Sequence, residues 1–198
     1  MKKKIIIVFV FCLIVFFIFY YKNYRNGNNI SNIKKDKIIE YILNSKLEYT
    51  ADIEVKVISN KKENIYKMKQ ELKDKKTRQE VLEPSNIRGL IIENENNKLK
   101  IQNTNLNLEK IYNDYSMILN NSLFLNVFIE DYKNNISKEY RNNGEIVLET
   151  KLNNSSNTYI KYKKLFINEK NMKPTKLEIE DNTKKTRISI IYNNIEIK

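Results

Sequence analysis

Carboxylates in close succession are the side chains here whose type and spacing could do chemistry. Glu130 stands beside Asp131, and Glu178 lies two places before Glu180. Hydrolysis by two carboxylates needs one held protonated, the other ionised, and a cleft between them that admits substrate. Neither pair is accompanied in sequence by a leaving-group acid, a metal shell or a cleft, so a two-carboxylate hydrolase is not expected. Composition narrows the field further, because there is no histidine and only one cysteine, Cys12. That excludes Cys/His zinc sites, Ser-His-Asp and Cys-His nucleophiles, and histidine proton shuttles. The chain reads as non-catalytic, with no cofactor and no metal site expected.

The elements that must position these residues follow from periodicity. Ser31 offers a helix cap, and Ile38, Ile39, Ile42, Leu43 and Leu47 recur at helical spacing, predicting a helix over about 32–45. Tyr49, Ala51, Ile53, Val55 and Val57 then alternate with polar residues, the pattern of a strand covered on one face. A second strand carries Tyr66, Met68 and Leu72, and a third runs from Thr77 to Leu82, stopped by Pro84. Ile87–Glu93 and Lys98–Gln102 make a hairpin. Leu106, Leu108, Ile111, Tyr112 and Tyr115 then lead into a helical stripe of Leu119, Leu123, Phe124, Val127, Phe128 and Tyr132. Strands return at 146–152, 158–168, 175–180, 187–192 and 195–197. The expected order is helix, five strands, helical insert, five strands. Short turns between sequential strands imply a curved antiparallel sheet, an α+β fold with its helices packed on the concave face.

Two groups of residues are candidates for binding. Tyr49, Ala51, Ile53, Val55, Val57, Met68 and Leu72, with Phe124, Val127 and Phe128 from the helical stripe, line either a lipid-holding cavity or a filled core. Arg78, Glu80 and Glu83 form either a charged strand edge open to a partner's strand or a solvated face with weak ion pairs.

The leader sets the location. Ile5–Phe19 is fifteen residues without a charge, preceded by Lys2, Lys3 and Lys4, and with Tyr20 and Tyr21 it spans roughly 25 Å as a helix. No small-residue pair marks a cleavage site between Ile14 and Asn26, so residues 1–22 read as a retained transmembrane signal anchor represented by Ile5, Val8, Leu13, Phe16, Phe19 and Tyr21. Lysines in front place the rest on the outer side. Acylation of Cys12 is disfavoured, because Phe9, Val10 and Phe11 stand where lipoprotein processing wants a small residue. Residues 23–30 are a polar tether and 31–198 one domain. Five of the 36 basic residues (Lys2, Lys3, Lys4, Lys22, Arg25) belong to the leader and tether, leaving 31 against 24 acidic ones, a net +7. These charges are interleaved, without a phosphate loop or an aromatic RNA-binding signature, so no nucleic-acid partner is expected.

Three stretches carry a family resemblance: TRQEVLEPSNIRG from Thr77 to Gly89, NTNLNLEKIYNDYSMILNNSLFLNVFIEDY from Asn103 to Tyr132, and KPTKLEIEDNTKKTRISIIYNNIEI from Lys173 to Ile197. Together they resemble the clostridial germination lipoproteins of the GerS group, within the LolA-like superfamily. The resemblance implies a half-barrel of antiparallel strands with helices in its mouth, and a protein of the sporulating cell's envelope that assists a cortex-modifying N-acetylmuramoyl-L-alanine amidase. It also leaves open an acyl-chain carrier or sensor, and an envelope-stress regulator. The leader departs from the lipoprotein pattern, so anchorage by a spanning helix in place of a lipidated cysteine is expected.

Overall fold

The computed structural model describes residues 40, 42–43, 47–59, 62–96, 98–113, 123–153 and 159–198. Two compact units divide at Asn44 and Ser45. Within the first, Glu40 and Ile42 are helical, and the rest of the helix expected over 32–45 lies outside the described residues, as do the anchor residues Ile5, Val8, Leu13, Phe16, Phe19 and Tyr21 and the cysteine Cys12. Among the described residues no helix is long and apolar enough to cross a membrane.

The second unit is built on one antiparallel sheet of eleven strands: β1 Tyr49–Ser59, β2 Lys62–Lys73, β3 Lys76–Glu83, β4 Leu90–Glu95, β5 Lys98–Asn103, β6 Leu108–Tyr112, β7 Ile136–Asn142, β8 Glu145–Lys151, β9 Tyr162–Asn168, β10 Pro174–Glu180 and β11 Thr186–Ile197. Their order is β6-β5-β4-β3-β2-β1-β11-β10-β9-β8-β7. Each strand therefore pairs with its chain neighbours, except that β1 meets β11 at the centre and the ends β6 and β7 are joined through one α-helix, α1 (Leu125–Asn134). A twisted sheet this wide curls, since strand-to-strand rotation accumulates.

Register shows which side chains share a face. One cross-strand row runs Leu148, Leu165, Leu177, Ile190, Val55, all essentially buried, and continues to the half-buried Tyr66. A second runs Ile197, Tyr49, Leu72, Thr77, Asn94, Leu99, Tyr112. The β8–β11 half of this face is mainly aliphatic, with Thr150 and Lys163 buried at one end, whereas β2–β4 bury Gln70, Thr77, Gln79 and Asn94. Helix α1 buries Leu125, Phe128 and Ile129, with Phe124 buried at its N-cap.

Several expectations are corrected. Leu108–Tyr112 is a strand and not the lead-in to a helix; the helical insert narrows to α1, so the expected helices on a concave face become one described α-helix. The buried stripe of α1 holds Leu125 and Ile129, while Leu123, Val127 and Tyr132 are half-buried. Ile136–Asn142 is a strand where none was expected. The last two expected strands are one: β11 runs to Ile197, and the register slips so that Asp52 faces Asn194 and Ile53 faces Tyr192, leaving Asn193 as the extra residue of a bulge.

Gly89, which closes the Thr77–Gly89 motif, has a structural reason. Its φ is +80°, and a Cβ there would meet Thr104 Oγ1 at 2.8 Å and Asn105 Nδ2 at 2.9 Å. Its N–H donates to Val81 O and its C=O accepts from Thr104 N, so the glycine lets the loop after β5 lie against the end of β3.

The β10–β11 turn is held by Asp181. Its Oδ1 accepts from Thr183 Oγ1 at 2.6 Å, Thr183 N at 2.8 Å and Lys185 N at 3.0 Å, while Oδ2 accepts from Arg187 Nε at 2.7 Å. The Thr183 hydroxyl, then the Lys185 amide, Arg187 and the Thr183 amide, outweigh desolvation and hold this carboxyl well below the usual carboxylate range. A depressed folded-state value means stability that is present above the unfolded carboxylate's titration and lost as pH falls through the folded one. Urea unfolding of the wild type is therefore expected to weaken below about pH 4 more steeply than that of Asp181→Asn, which lacks the titrating group; parallel acid limbs would refute this.

Candidate functional site

Tyr49 is the point where sheet and helix meet. Its hydroxyl donates to Gln70 Oε1 at 2.6 Å and accepts from Leu125 N–H at 3.3 Å, and Gln70 Nε2 donates to Leu123 O at 3.3 Å. The start of α1 has no side-chain cap of its own, and the tyrosine oxygen from β1 takes an amide that would otherwise be orphaned. Burial pushes the Tyr49 phenol far above its ordinary value, against the Leu125 hydrogen bond, so it stays neutral. Tyr192, on the same face, is raised by burial and by its proximity to Tyr49.

The other end of the helix is fixed by charge. Lys163 Nζ reaches Asp131 Oδ2 at 2.6 Å, with the lysine side chain 2 % and the aspartate 25 % exposed. Thr150 Oγ1 donates to Asp131 O at 3.3 Å, and Ser137 Oγ donates to Tyr132 O at 2.6 Å. Asp131, half of a carboxylate pair in the sequence, is thus a helix latch, and its neighbour Glu130 points to solvent.

Of the expected cavity or core residues, Tyr49, Ala51, Ile53, Val55, Leu72, Phe124 and Phe128 are buried, while Val57, Met68 and Val127 are half-buried. On the opposite face a cavity of about 600 Å³ is lined by Thr50, Asp52, Lys69, Glu71, Arg78 and Glu196, among others. Its charged lining does not suit an acyl chain.

Arg78, Glu80 and Glu83 are not at an edge. They lie on β3, which pairs with β2 along its length and with β4 from Thr77 to Glu80, so Arg78 and Glu80 stand inside the sheet and Glu83 just past the end of the β4 ladder. Arg78 pairs with Glu80 at 3.0 Å and Glu93 at 3.3 Å, and Lys67 with Glu83 at 3.0 Å, ion pairs on a wet face worth under about 1 kcal/mol each. Glu178 and Glu180 are likewise engaged, by Lys176 at 2.9 Å and Lys164 at 2.6 Å. Among the described residues no group of histidine, cysteine or carboxylate side chains could hold a metal ion.

Among the described residues β6 and β7 stand at the two ends of the sheet, and neither position is visible in the sequence. All five residues of β6 are exposed, including Leu108 at 62 % and Ile111 at 52 %, and Leu106 precedes them in the same state. Edge strands lack the buried face that gives an alternating pattern, so exposed apolar residues inside a polar stretch are the only signal available.

No curated protein matches the sequence. The structure of the CwlD amidase from Clostridioides difficile in complex with the GerS lipoprotein contains a match, to GerS, with a TM-score of 0.55 at 25 % identity over 84 % of this chain and 95 % of that one. An uncharacterized conserved protein from Thermus thermophilus shares the fold, with a TM-score of 0.52 at 10 % identity over 83 % of this chain and 88 % of that one. A LolA superfamily protein from Nitrosomonas europaea aligns with a TM-score of 0.44 at 14 % identity over 82 % and 93 % of the two chains. The family model for the YdcC-like sporulation proteins matches residues 2–198, nearly the whole sequence, and the chain belongs to that family.

Proposed function

We propose that the protein is a non-catalytic envelope component of the sporulating cell that binds and assists a cell-wall amidase, tethered by Ile5–Tyr21 as a single-pass anchor with the sheet domain on the outer side. One observation carries this: the likeness to GerS, found in a complex with an amidase, at 25 % identity across 95 % of that chain. The residue chemistry agrees, since the carboxylates at 131, 178 and 180 are each held by a lysine. Pulling down the tagged full-length chain from sporulating cells under gentle detergent is expected to enrich an N-acetylmuramoyl-L-alanine amidase over an untagged control. Recovery of the chain without any amidase overturns the assignment.

A further inference from the structure

We propose that the cavity on the face away from α1 binds a short peptide by its free N-terminal ammonium, the class of product that an N-acetylmuramoyl-L-alanine amidase releases. Naming the product rests on the amidase-binding reading, while the site itself is argued from the cavity's own side chains. Hydrolysis of a muramoyl–alanine amide takes up water, leaves a carboxylate on the glycan and frees an amine on the peptide. That amine is charged near neutral pH, so the peptide's end carries a positive charge only after the cut.

At about 600 Å³ the cavity has the size of a small-ligand site, and its floor is patterned by strand register. Glu196 and Glu71 stand on either side of the small Thr50, so two carboxylates two strand spacings apart, roughly 10 Å at the backbone, bracket a gap over β1. Lys69 lies two places along β2 from Glu71, roughly 7 Å away, a span that two extended residues cover. The bulge residue Asn193 lines the cavity as well, so the slip in the register of β11 helps to shape it.

The charges of this cavity do not satisfy one another. Arg78 is the direct cross-strand neighbour of Glu71, yet it pairs with Glu80 and Glu93. Lys173 Nζ donates to Ile195 O at 2.9 Å, and Asp52 accepts from Asn194 Nδ2 at 3.1 Å. Glu71, Glu196 and Lys69 are left without an ion-pair partner among the described residues. Elsewhere on the same face neighbouring charges do pair, as in Lys67 with Glu83 and Lys176 with Glu178. Two unengaged carboxylates around a small floor residue, with one unengaged ammonium beside them, complement a ligand whose ammonium end and first carboxylate lie about two residues apart. A cleaved peptide meets that requirement. An acylated N-terminus does not, because it sets no positive charge between Glu71 and Glu196.

The test is calorimetric titration of the full chain in neutral detergent micelles with the peptide Ala-Glu-Lys-Ala bearing free termini, and with the same peptide N-acetylated to stand for the uncut stem. The free peptide is expected to bind saturably, and the acetylated one at least about tenfold more weakly. Glu71→Gln with Glu196→Gln should weaken the free peptide about tenfold and leave the acetylated one within about twofold. Lys69→Met should also weaken the free peptide, and lose its effect when the peptide's glutamate is replaced by glutamine. Unchanged thermal unfolding shows that these variants fold. Equal binding of the two peptides, or binding that survives Glu71→Gln with Glu196→Gln, overturns the proposal. Absence of saturable binding by a chain that still pulls down the amidase overturns it too, and leaves the amidase reading intact. Binding with the expected dependence by a chain that recovers no amidase upholds the site and assigns its ligand to another peptide-releasing hydrolase.

Discussion

Asp131→Ala is expected to destabilise the sheet domain by about 3–5 kcal/mol, because it strands the Lys163 ammonium in a site where only 2 % of that side chain reaches water. The asymmetry of the pair sharpens the expectation. Lys163→Met leaves behind a carboxylate that is 25 % exposed and can be hydrated, so its cost should be clearly smaller. The double variant should recover much of the loss, since an apolar side chain of similar length fills the space without a charge to solvate. Urea unfolding of the three variants reads this directly. Equal costs for the two single variants would mean that the buried lysine is not the controlling charge. Hydrogen exchange adds a local check, since amides near the end of α1 should open before those near Tyr49 in Asp131→Ala.

Phe128→Ala should cost a comparable amount, about 3–5 kcal/mol, by a different mechanism. Phe128 is fully buried on α1, its ring 5.9 Å from that of Tyr132, and truncation removes an apolar payload and leaves a void between helix and sheet. Val127, next on the same helix but half-buried, supplies the control: Val127→Ala should cost no more than about 1 kcal/mol. Thermal unfolding that ranks the two the other way would place the buried face of the helix elsewhere.

How far the fold was legible in the sequence depends on burial. Tyr49 to Val57 announces itself because alternate residues are covered by the helix side, and the observed strand matches nearly residue for residue. The motif ending at Gly89 is equally readable once its crowded contact with Thr104 and Asn105 is known. Signal is lost where burial is absent or one-sided in an unexpected way. On β6, Leu108, Ile111 and Tyr112 fall at helical spacing by accident, since none of them is buried and no selection for alternation acts. On β11 the bulge at Asn193 breaks the period-two pattern and imitates a strand end. The polar side chains Gln70, Thr77, Gln79 and Asn94 hide part of the interior from any reading based on hydropathy. Whether Arg78 and Glu80 form an open edge or a solvated face stays undecided in the sequence, because a strand's position in the sheet is a property of long-range pairing, which local pattern does not encode.

The β1–β11 pairing also governs when the sheet can exist. Every other pairing joins strands that are neighbours in the chain, so two meanders, β1–β6 and β7–β11, can each form by local closure. The seam between them joins residues near 50 to residues near 195, a loop whose entropy must be overcome in one late step. During synthesis the N-terminal meander therefore waits with one edge of β1, the side that later meets β11, unpaired until β11 has left the ribosome. For that interval the open strand edge lies at the centre of the future sheet and not at its finished rim, and that is where mispairing is cheapest.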